Sequence, residues 1–346
     1  MGRITTPSNK QGTSKGRRGL IRIVGIGAIL MGGAVWSCSY FSPLAAPGSG
    51  DKKIDFEVRR GTGSFTVSKE LVKQGLLKSP KYFRLYLRLT GKSSKLKAGI
   101  YTLNDGMSGS EIATVLTEGK VRMMTIKIPE GWNRRQIGDY LARKGLVKNR
   151  AEFIKITEDP AVLRKHKIPG KSTQGYLFPD TYSVPYGFSA RRLQDVMIRQ
   201  FRQKMKNVGA PTNMTPAELH ERLILASIVE REAVRPAERP MMAQVFLNRL
   251  EKGIPLESCA TIQFLFEKPR PRLFYRDLKI PSPYNTYIHK GLPPGPISSP
   301  GLAALKASFN PKPGPYLFFV LKPDRSHHFS TTFAEHVAAK KRYLGR

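Results

Sequence analysis

The chain has 346 residues, of which 40% are hydrophobic and 9% aromatic, as expected for a folded protein with one large domain or two ordinary ones. Its 59 Lys and Arg residues against 25 Asp and Glu give a formal net charge of +34, which predicts a polyanionic partner or an anionic surface. Two cysteines, Cys38 and Cys259, argue against a disulfide framework, and with six histidines they leave little material for a metal site.

The N-terminal segment has the pattern of a membrane anchor. Six Lys or Arg residues and no acid occur up to Arg22, and no charged residue follows from Ile23 to Gly50. The apolar run is long enough to cross a bilayer, and the preceding cations predict a cytoplasmic N-terminus. We therefore expect a cytoplasmic tail over residues 1–19, a transmembrane helix over 20–41 and a linker over 42–50. The protein would be single-pass, in the inner (plasma) membrane.

A cleaved signal peptide is the alternative interpretation of this segment. The apolar run is longer than a usual signal core, and the bulky Trp36 makes a poor lipoprotein cleavage site before Cys38. Either interpretation places the remaining chain outside the cytoplasm. That location argues against a nucleic-acid partner despite the positive charge.

Residues 51–122 predict a small module. Two strands, Ile54–Val58 and Ala98–Leu103, enclose two predicted helices, Ser68–Leu77 with Ser68 as N-cap and Lys81–Leu89. A third helix follows over 108–118, where Ser108 and Glu111 can form a capping box and Gly119 ends the helix. The strand, helix, helix, strand order resembles the LysM module, a small fold that binds the N-acetylated glycan of cell walls.

Residues 123–346 predict a larger domain, so the chain as a whole is assigned to the α+β class. The pattern predicts a strand from Val121 to Pro129, a helix up to Leu146, a loop-rich stretch over 160–185 and an amphipathic helix over Ala190–Val208. Thr215, Pro216 and Glu218 then form a strong helix start.

The helix that begins there carries the candidate acid. Its apolar run Leu223–Val229 predicts a buried helix, and at about 100° per residue Glu230 continues the stripe of Leu219, Leu223 and Ala226. Burial would raise the pKa of this carboxyl group, as a general acid for glycosidic cleavage requires. The alternative is a structural Glu that pairs with Arg231 or Arg235. Glu232 points to another side of the helix.

Several motifs follow in a fixed order after this helix. They are Ala226–Glu232, Val245–Leu250, Ser282–Tyr287, Gly291–Ile297, Ser299–Gly301 and His328–Ser330. This ordered set resembles the endolytic murein transglycosylase, or YceG-like, family, and the similarity runs from about Ile54 to the C-terminus.

The resemblance implies a lyase with Glu230 as its catalytic residue. Such an enzyme cuts within peptidoglycan strands, between N-acetylmuramic acid and N-acetylglucosamine, without water. The sugar's own C6 hydroxyl closes a 1,6-anhydro ring, so one carboxyl group suffices where hydrolytic glycosidases use two. No metal or cofactor is implied. Cell-wall synthases are implied partners, because such cuts would release or terminate new strands.

The sequence also offers candidate sugar-binding residues. Tyr284, Asn285 and Thr286 could contact the acetamido sugars or orient Glu230, and Gln263 and Asn248 are weaker candidates of the same type. Loop scaffolding is the alternative role for all five.

Two positions depart from the family pattern. Cys259 stands where an acid is common, and Gln174 stands where Glu is common before Tyr-Leu-Phe-Pro. Two other function classes remain open, a non-catalytic wall-binding protein that keeps the fold and a basic nucleic-acid binder. Products released from glycan would separate the first from the enzyme, and an extracytoplasmic location would contradict the second.

Overall fold

The structure is a computed structural model and describes residues 1–2, 44–211 and 213–345. Two compact units make up the chain, Met1–Met123 and Met124–Arg346. Both contain helices and short strands, which confirms the predicted α+β class. The predicted transmembrane helix over 20–41 lies outside the described residues. Among the helices that are described, none combines the length and the apolar character needed to span a bilayer.

The first unit is built on one antiparallel strand pair. Strand β1 (Lys53–Val58) pairs with β2 (Gly99–Asn104), with Phe56 opposite Tyr101. Helices α1 (Ser64–Lys73) and α2 (Pro80–Leu89) lie between the strands in sequence, and α3 (Gly109–Glu118) follows β2. The predicted order of strand, helix, helix and strand is therefore confirmed.

The start of the first helix differs from the prediction. Helix α1 begins at Ser64 rather than after Ser68, and extended Gly63 occupies the N-cap position. Ser68 is buried inside the helix, where its hydroxyl donates to the Ser64 carbonyl at 2.5 Å. The earlier start brings Val67 and Leu71 onto the buried face, so tertiary packing decides the boundary.

The predicted third helix start is confirmed. Ser108 caps α3, and Glu111 returns a hydrogen bond to the backbone N–H of Ser108, so the capping box is complete. Gly119 ends the helix at φ +76°, a conformation that glycine adopts without steric penalty.

The residues before β1 lie against this unit. Leu44 packs on its hydrophobic core, and the backbone N–H of Gly48 donates to the Asp105 carbonyl at 2.8 Å. Residues 44–50 were predicted to be part of a linker. Because of these contacts they belong to the folded unit.

The second unit holds two further strand pairs and nine α-helices in the described part of the chain. Strand β3 (Met123–Lys127) pairs with β4 (Thr181–Pro185), and β5 (Phe318–Leu321) runs antiparallel to β6 (His327–Ser330). The helices are α4 (Arg134–Arg143), α5 (Arg150–Thr157), α6 (Pro160–Lys165), α7 (Ala190–Met205), α8 (Pro216–Glu232), α9 (Arg239–Glu251), α10 (Cys259–Leu265), α11 (Leu302–Phe309) and α12 (Phe333–Leu344).

Among the helices of this unit that were not predicted, α5 and α6 have clear N-caps. Asn149 caps α5 by accepting from the Glu152 N–H, and Asp159 caps α6, which has Pro160 at its first position. The stretch over 160–185 is therefore less irregular than its composition indicates, since α6 and β4 occupy its two ends.

Helix α8 runs between two hydrophobic clusters of the second unit. Leu223 and Ala226 belong to one cluster, whereas Ile224, Ile228 and Val229 belong to the other. The helix is therefore buried on opposite sides, as its all-round apolar sequence predicted. Its last turn ends at Glu232 and carries Glu230.

Candidate active site

Glu230 lies in the last turn of α8 with its side chain 5% exposed. The Thr215–Glu218 capping box fixes the start of this helix, and the buried run Leu223–Val229 fixes its rotation. The predicted extension of the apolar stripe to Glu230 is therefore confirmed.

Two donors hold the carboxyl group. Arg239 Nη2 donates to Oε1 of Glu230 at 2.9 Å, and the backbone N–H of Gly301 donates to Oε2 at 3.0 Å. The structural alternative named Arg231 or Arg235 as the ion-pair partner. The partner is Arg239, which follows a 3₁₀ turn at Pro236–Glu238, while Arg235 donates to the Asp324 carbonyl.

The pKa of Glu230 is raised above that of an ordinary glutamate. Burial is the largest cause, because the carboxylate loses its hydration, and the negative charge of Glu130 adds to the rise. The Gly301 N–H and the positive charges of Arg239 and Arg231 act in the opposite direction. The result is an acid that holds its proton more tightly than a solvated Glu and has a cation beside its anionic form.

Glu130 reaches this site through a pairing of two loop segments. The N–H of Gly131 donates to the Ser299 carbonyl at 2.8 Å, and the N–H of Ser299 donates to the Trp132 carbonyl at 2.7 Å. The carboxyl group of Glu130 then lies where a β-carbon on Gly301 would stand. A glycine at position 301 is therefore what lets both its N–H and the Glu130 side chain approach Glu230.

Ser227 ties this loop to helix α8. Its hydroxyl accepts from the N–H of Ile297 at 3.0 Å and donates to the Ile224 carbonyl at 2.7 Å. The Ser298 hydroxyl donates to the Ser227 carbonyl at 2.9 Å, and all of these groups are buried. The single serine in the apolar run thus holds the segment that leads to Gly301.

Glu232, two residues after Glu230, hydrogen-bonds a different part of the chain. Its Oε1 accepts from the Ser258 hydroxyl at 2.5 Å and from the N–H of Ala260 at 3.0 Å. These bonds satisfy donors at the start of α10, in the position of a capping carboxylate. The prediction that Glu232 points to another side than Glu230 is confirmed.

Three of the predicted binding residues lie in one loop. Tyr284 borders an open cleft and packs its ring 5.0 Å from that of Phe264. Asn285 is fully buried, and its amide bonds the carbonyls of Leu278 and Ile280. Thr286 is buried as well, with its hydroxyl accepting from the N–H of Ser258 at 3.0 Å. Only Tyr284 of the three has its side chain on an open surface.

The two weaker candidates also have bonded side chains. Gln263 exchanges two hydrogen bonds with the backbone of Arg270. Asn248 donates to the carbonyls of Gly314 and Tyr316. Within the described ranges, none of the five candidates hydrogen-bonds Glu230.

The residues that contact Glu230 were not identified from the sequence. Gly301 falls within one of the family motifs, but nothing local marks it or Glu130 as a neighbour of Glu230. Arg239 stands outside every motif, nine positions beyond Glu230, after a turn that redirects the chain. The one sequence signal that could have identified Arg239 as a partner of Glu230 is the Pro-containing turn before it, and that signal is weak.

The two residues that depart from the family pattern, Gln174 and Cys259, each have a hydrogen-bond contact in the structure. Gln174 is buried, and its Oε1 accepts from the N–H of Arg134 at the start of α4 at 2.7 Å. Cys259 is the first residue of α10, and its thiol is unpaired and 3.0 Å from the Tyr287 hydroxyl. Burial raises the pKa of this thiol, which opposes thiolate chemistry.

Comparisons with known proteins agree on one family. The sequence model of the YceG-like family matches residues 56–342. An endolytic murein transglycosylase of Bacillus subtilis is 31% identical, and the match covers 91% of each chain. An endolytic murein transglycosylase of Streptococcus pneumoniae is 29% identical over 85% of this chain and 59% of its own length. The crystal structure of a yceG-like protein from Listeria monocytogenes superimposes with a TM-score of 0.54 at 29% identity, covering 84% of this chain and 100% of that one.

Proposed function

Because the chain belongs to the YceG-like family, we propose that it is an endolytic murein transglycosylase, a lyase that acts on peptidoglycan. It cuts glycan strands internally, between N-acetylmuramic acid and N-acetylglucosamine, and leaves 1,6-anhydro ends. The observation that carries the proposal is one buried carboxyl group, Glu230, with a raised pKa and two fixed donors.

The first step is protonation of the glycosidic oxygen. A carboxyl group whose pKa is raised by burial stays protonated to higher pH, so Glu230 can give its proton to the leaving oxygen as the bond breaks. The carboxylate that forms is then stabilised by the Arg239 guanidinium and the Gly301 N–H. The same two donors fix the orientation of the group throughout.

The second step uses the same residue as a base. Glu230 takes the proton of the sugar's C6 hydroxyl, whose oxygen bonds to the anomeric carbon and closes the anhydro ring. Atoms and charge balance within the sugar and Glu230, which ends the cycle protonated as it began. Opposing effects on the pKa of Glu230 suit both steps, since burial favours the acid while Arg239 supports the base form.

The five binding candidates have unequal roles in this proposal. Tyr284 contacts the sugar, because its ring and hydroxyl border the cleft. Asn285, Thr286, Gln263 and Asn248 support the substrate-binding walls through the bonds that they already make.

The remaining parts of the chain fit a membrane-bound cell-wall enzyme. In this proposal residues 1–19 form a cytoplasmic tail, 20–41 the transmembrane helix, 51–122 a LysM-like glycan-binding module and 123–346 the catalytic domain. The linker over 42–50 packs on the module through residues 44–50. The formal charge of +34 supports contact with an anionic membrane surface and with acidic wall peptides. Cell-wall synthases are partners whose nascent strands the enzyme terminates or releases. A periplasmic reporter fused after Gly50 tests the orientation, and an inactive reporter would contradict it.

The function is tested on the products of purified glycan. The wild-type protein should release fragments with anhydro ends, each lighter by one water than a hydrolysis product, as measured by mass spectrometry. Glu230→Gln should reduce this rate by at least about 10²- to 10⁴-fold, the contribution of a general acid. Glu221→Gln is the matched control, because Glu221 is exposed on the same helix.

Two results would overturn the proposal. Full activity in Glu230→Gln would show that another group performs the chemistry. Absence of anhydro ends from wild-type digests, with glycan still bound, would leave a wall-binding protein instead. Thermal unfolding of both variants separates lost chemistry from lost folding.

A further inference from the structure

The β5–β6 hairpin contacts the turn that leads to Arg239, and it does so at both ends of that turn. At the start of the turn, Arg235 Nη2 donates to the Asp324 carbonyl of the hairpin at 2.5 Å. At its end, the Glu238 carboxyl group accepts from two groups of His327, the backbone N–H at 2.9 Å and Nδ1 at 2.6 Å. These bonds join segments that lie 89 residues apart in the chain, and the reaction steps described above do not use them.

His327 is a rigid anchor for the Glu238 carboxylate. A carboxylate oxygen only accepts, so the imidazole carries its proton on Nδ1. The side chains of His327 and Glu238 are 4% and 16% exposed, so water competes little for their bonds. The His327 ring also packs edge-on against Phe319 at a centroid distance of 5.6 Å, and strand pairing sets His327 opposite Leu321. Packing and pairing therefore fix the position from which His327 donates.

The Arg239 side chain depends on its backbone for its position. Its Nη2 donates to Oε1 of Glu230 at 2.9 Å, whereas its buried Nε has no acceptor among the described residues. The guanidinium therefore lacks a bond at Nε that would hold it in place if the backbone moved. Glu238 is the residue directly before Arg239, so the bonds that hold Glu238 also hold the backbone from which the guanidinium extends.

The rest of helix α9 is held by other contacts. The N–H of Lys312 donates to the Pro240 carbonyl at 3.0 Å, and Met242, Ala243 and Phe246 belong to a buried hydrophobic cluster of the second unit. Loss of the Glu238 bonds should therefore leave the helix folded and displace its first turn. The consequence of these bonds is local, at the point where the first turn of α9 meets the end of α8.

We propose that Glu238 and His327 are positioning residues for the reaction, because together they hold the turn where Arg239 meets Glu230. The inference rests on the proposed function, since it assigns to the hairpin a part in orienting the proposed acid. It also gives a role to the motif His328–Ser330, which continues the strand that begins at His327. A distant hairpin thus controls the distance between the acid and its cation.

The experiment compares two substitutions that remove the same charge. Glu238→Ala deletes both bonds to His327. Glu238→Gln keeps them, because the amide oxygen accepts from the backbone N–H and the amide nitrogen donates to Nδ1 of the other neutral imidazole tautomer. A difference between the two variants therefore reports the hydrogen bonds and not the charge of Glu238.

Glu238→Ala should move the alkaline limb of the kcat/KM profile to higher pH. The Arg239 cation lowers the pKa of Glu230, so its withdrawal lets burial raise that pKa further, while Glu130 and Arg231 act on Glu230 unchanged. Activity at the optimum should fall by about 10- to 100-fold through misplacement of the acid. Glu238→Gln should keep the wild-type limb. In the Arg239→Gln background, Glu238→Ala should cause no further shift, since the cation is already gone.

Two further variants of the hairpin serve as checks. His327→Phe keeps an aromatic ring beside Phe319 and loses the Nδ1 bond alone, so it should shift the limb in the same direction by less. His328→Ala removes the next side chain of the strand, whose ring lies 5.6 Å from that of Tyr343, and should leave the limb in place. Thermal unfolding of each variant separates a displaced turn from a lost fold.

Titration of Glu230 by NMR separates this inference from the proposed function. In protein with ¹³C-labelled glutamate carboxyl groups, the Glu230 signal, assigned with Glu230→Gln, reports the pKa of this residue without any glycan. A pKa that rises in Glu238→Ala but not in Glu238→Gln would support the positioning role even if no glycan were cut. An unchanged pKa in Glu238→Ala, an equal rise in Glu238→Gln, or a further rise in the Arg239→Gln background would overturn the inference and leave the chemistry at Glu230 standing.

Discussion

Arg239 and Glu230 form a buried ion pair, with Nη2 2.9 Å from Oε1 and side chains that are 10% and 5% exposed. A cation this close normally lowers the pKa of a carboxyl group, but here the pKa is raised because burial has the larger effect. The acid therefore carries opposing influences that can be removed one at a time. The first two predictions use this property.

Arg239→Gln should move the alkaline limb of the kcat/KM profile to higher pH. Without the cation the pKa of Glu230 rises further, so the acid form persists to higher pH. Activity at the optimum should fall by up to about 100-fold, since the carboxyl group loses one of its two fixed donors. The measurement is the rate of anhydro-end formation against pH.

The matched control is Arg249→Gln, on the same helix. Arg249 pairs with Glu257 and not with Glu230, so its loss should leave the alkaline limb in place. A limb in Arg239→Gln that stays fixed or moves to lower pH would contradict the assignment of Glu230 as the acid that Arg239 influences.

Glu130→Gln should shift the same limb in the opposite direction. The negative charge of Glu130 raises the pKa of Glu230, so its removal lets Glu230 lose its proton at lower pH. The alkaline limb should then move to lower pH, while thermal stability changes little because Glu130 is exposed. Shifts of the same sign in both variants would show that the two charges do not act on one titrating group.

Ser227→Ala should destabilise the protein by about 1–3 kcal/mol, the cost of an unpaired buried donor. The substitution removes the only oxygen that accepts from the Ile297 N–H among the described contacts. Urea unfolding measures the free energy. Ser308→Ala is the control, because the buried Ser308 hydroxyl donates to a helix carbonyl and accepts from no described group. A loss no larger than that of the control would remove Ser227 as the anchor of the loop.

Tyr284→Ala should weaken substrate binding, whereas Asn285→Ala should weaken the stability of the fold. Tyr284 borders the open cleft, so its loss should raise KM with little change in the unfolding free energy. Asn285 is fully buried and bonds two carbonyls and one N–H, so its loss should reduce stability instead. The pair of measurements is steady-state kinetics and urea unfolding. An unchanged KM for Tyr284→Ala would rule out the proposed sugar contact.

Local features of the chain were predictable from sequence. The capping boxes at Ser108 and Thr215 and the burial of Leu223–Val229 depend on residues within one or two helical turns, and the structure confirms them. The burial of Glu230 follows from the same periodicity. Such features can be read from sequence because their partners are fixed by the helix itself.

Features that depend on distant segments were not predictable. Gly301 lies 71 residues beyond Glu230, and the loop that brings it back is held by Ser227 through buried bonds. Arg239 reaches the acid only because the chain turns at Pro236–Glu238. The start of α1 was misplaced for a related reason, since the packing of Val67 overrides the capping preference of Ser68.

The contacts of Glu232 affect how inactive mutants of this enzyme should be interpreted. Its carboxylate fastens Ser258 and the beginning of α10 to the end of α8, so a substitution there would loosen this contact without changing the Glu230 side chain. An alanine scan would score both glutamates as essential and could mistake them for a catalytic pair. Chemical rescue by a small carboxylic acid should discriminate between them, restoring turnover to a truncated Glu230 but not to a truncated Glu232.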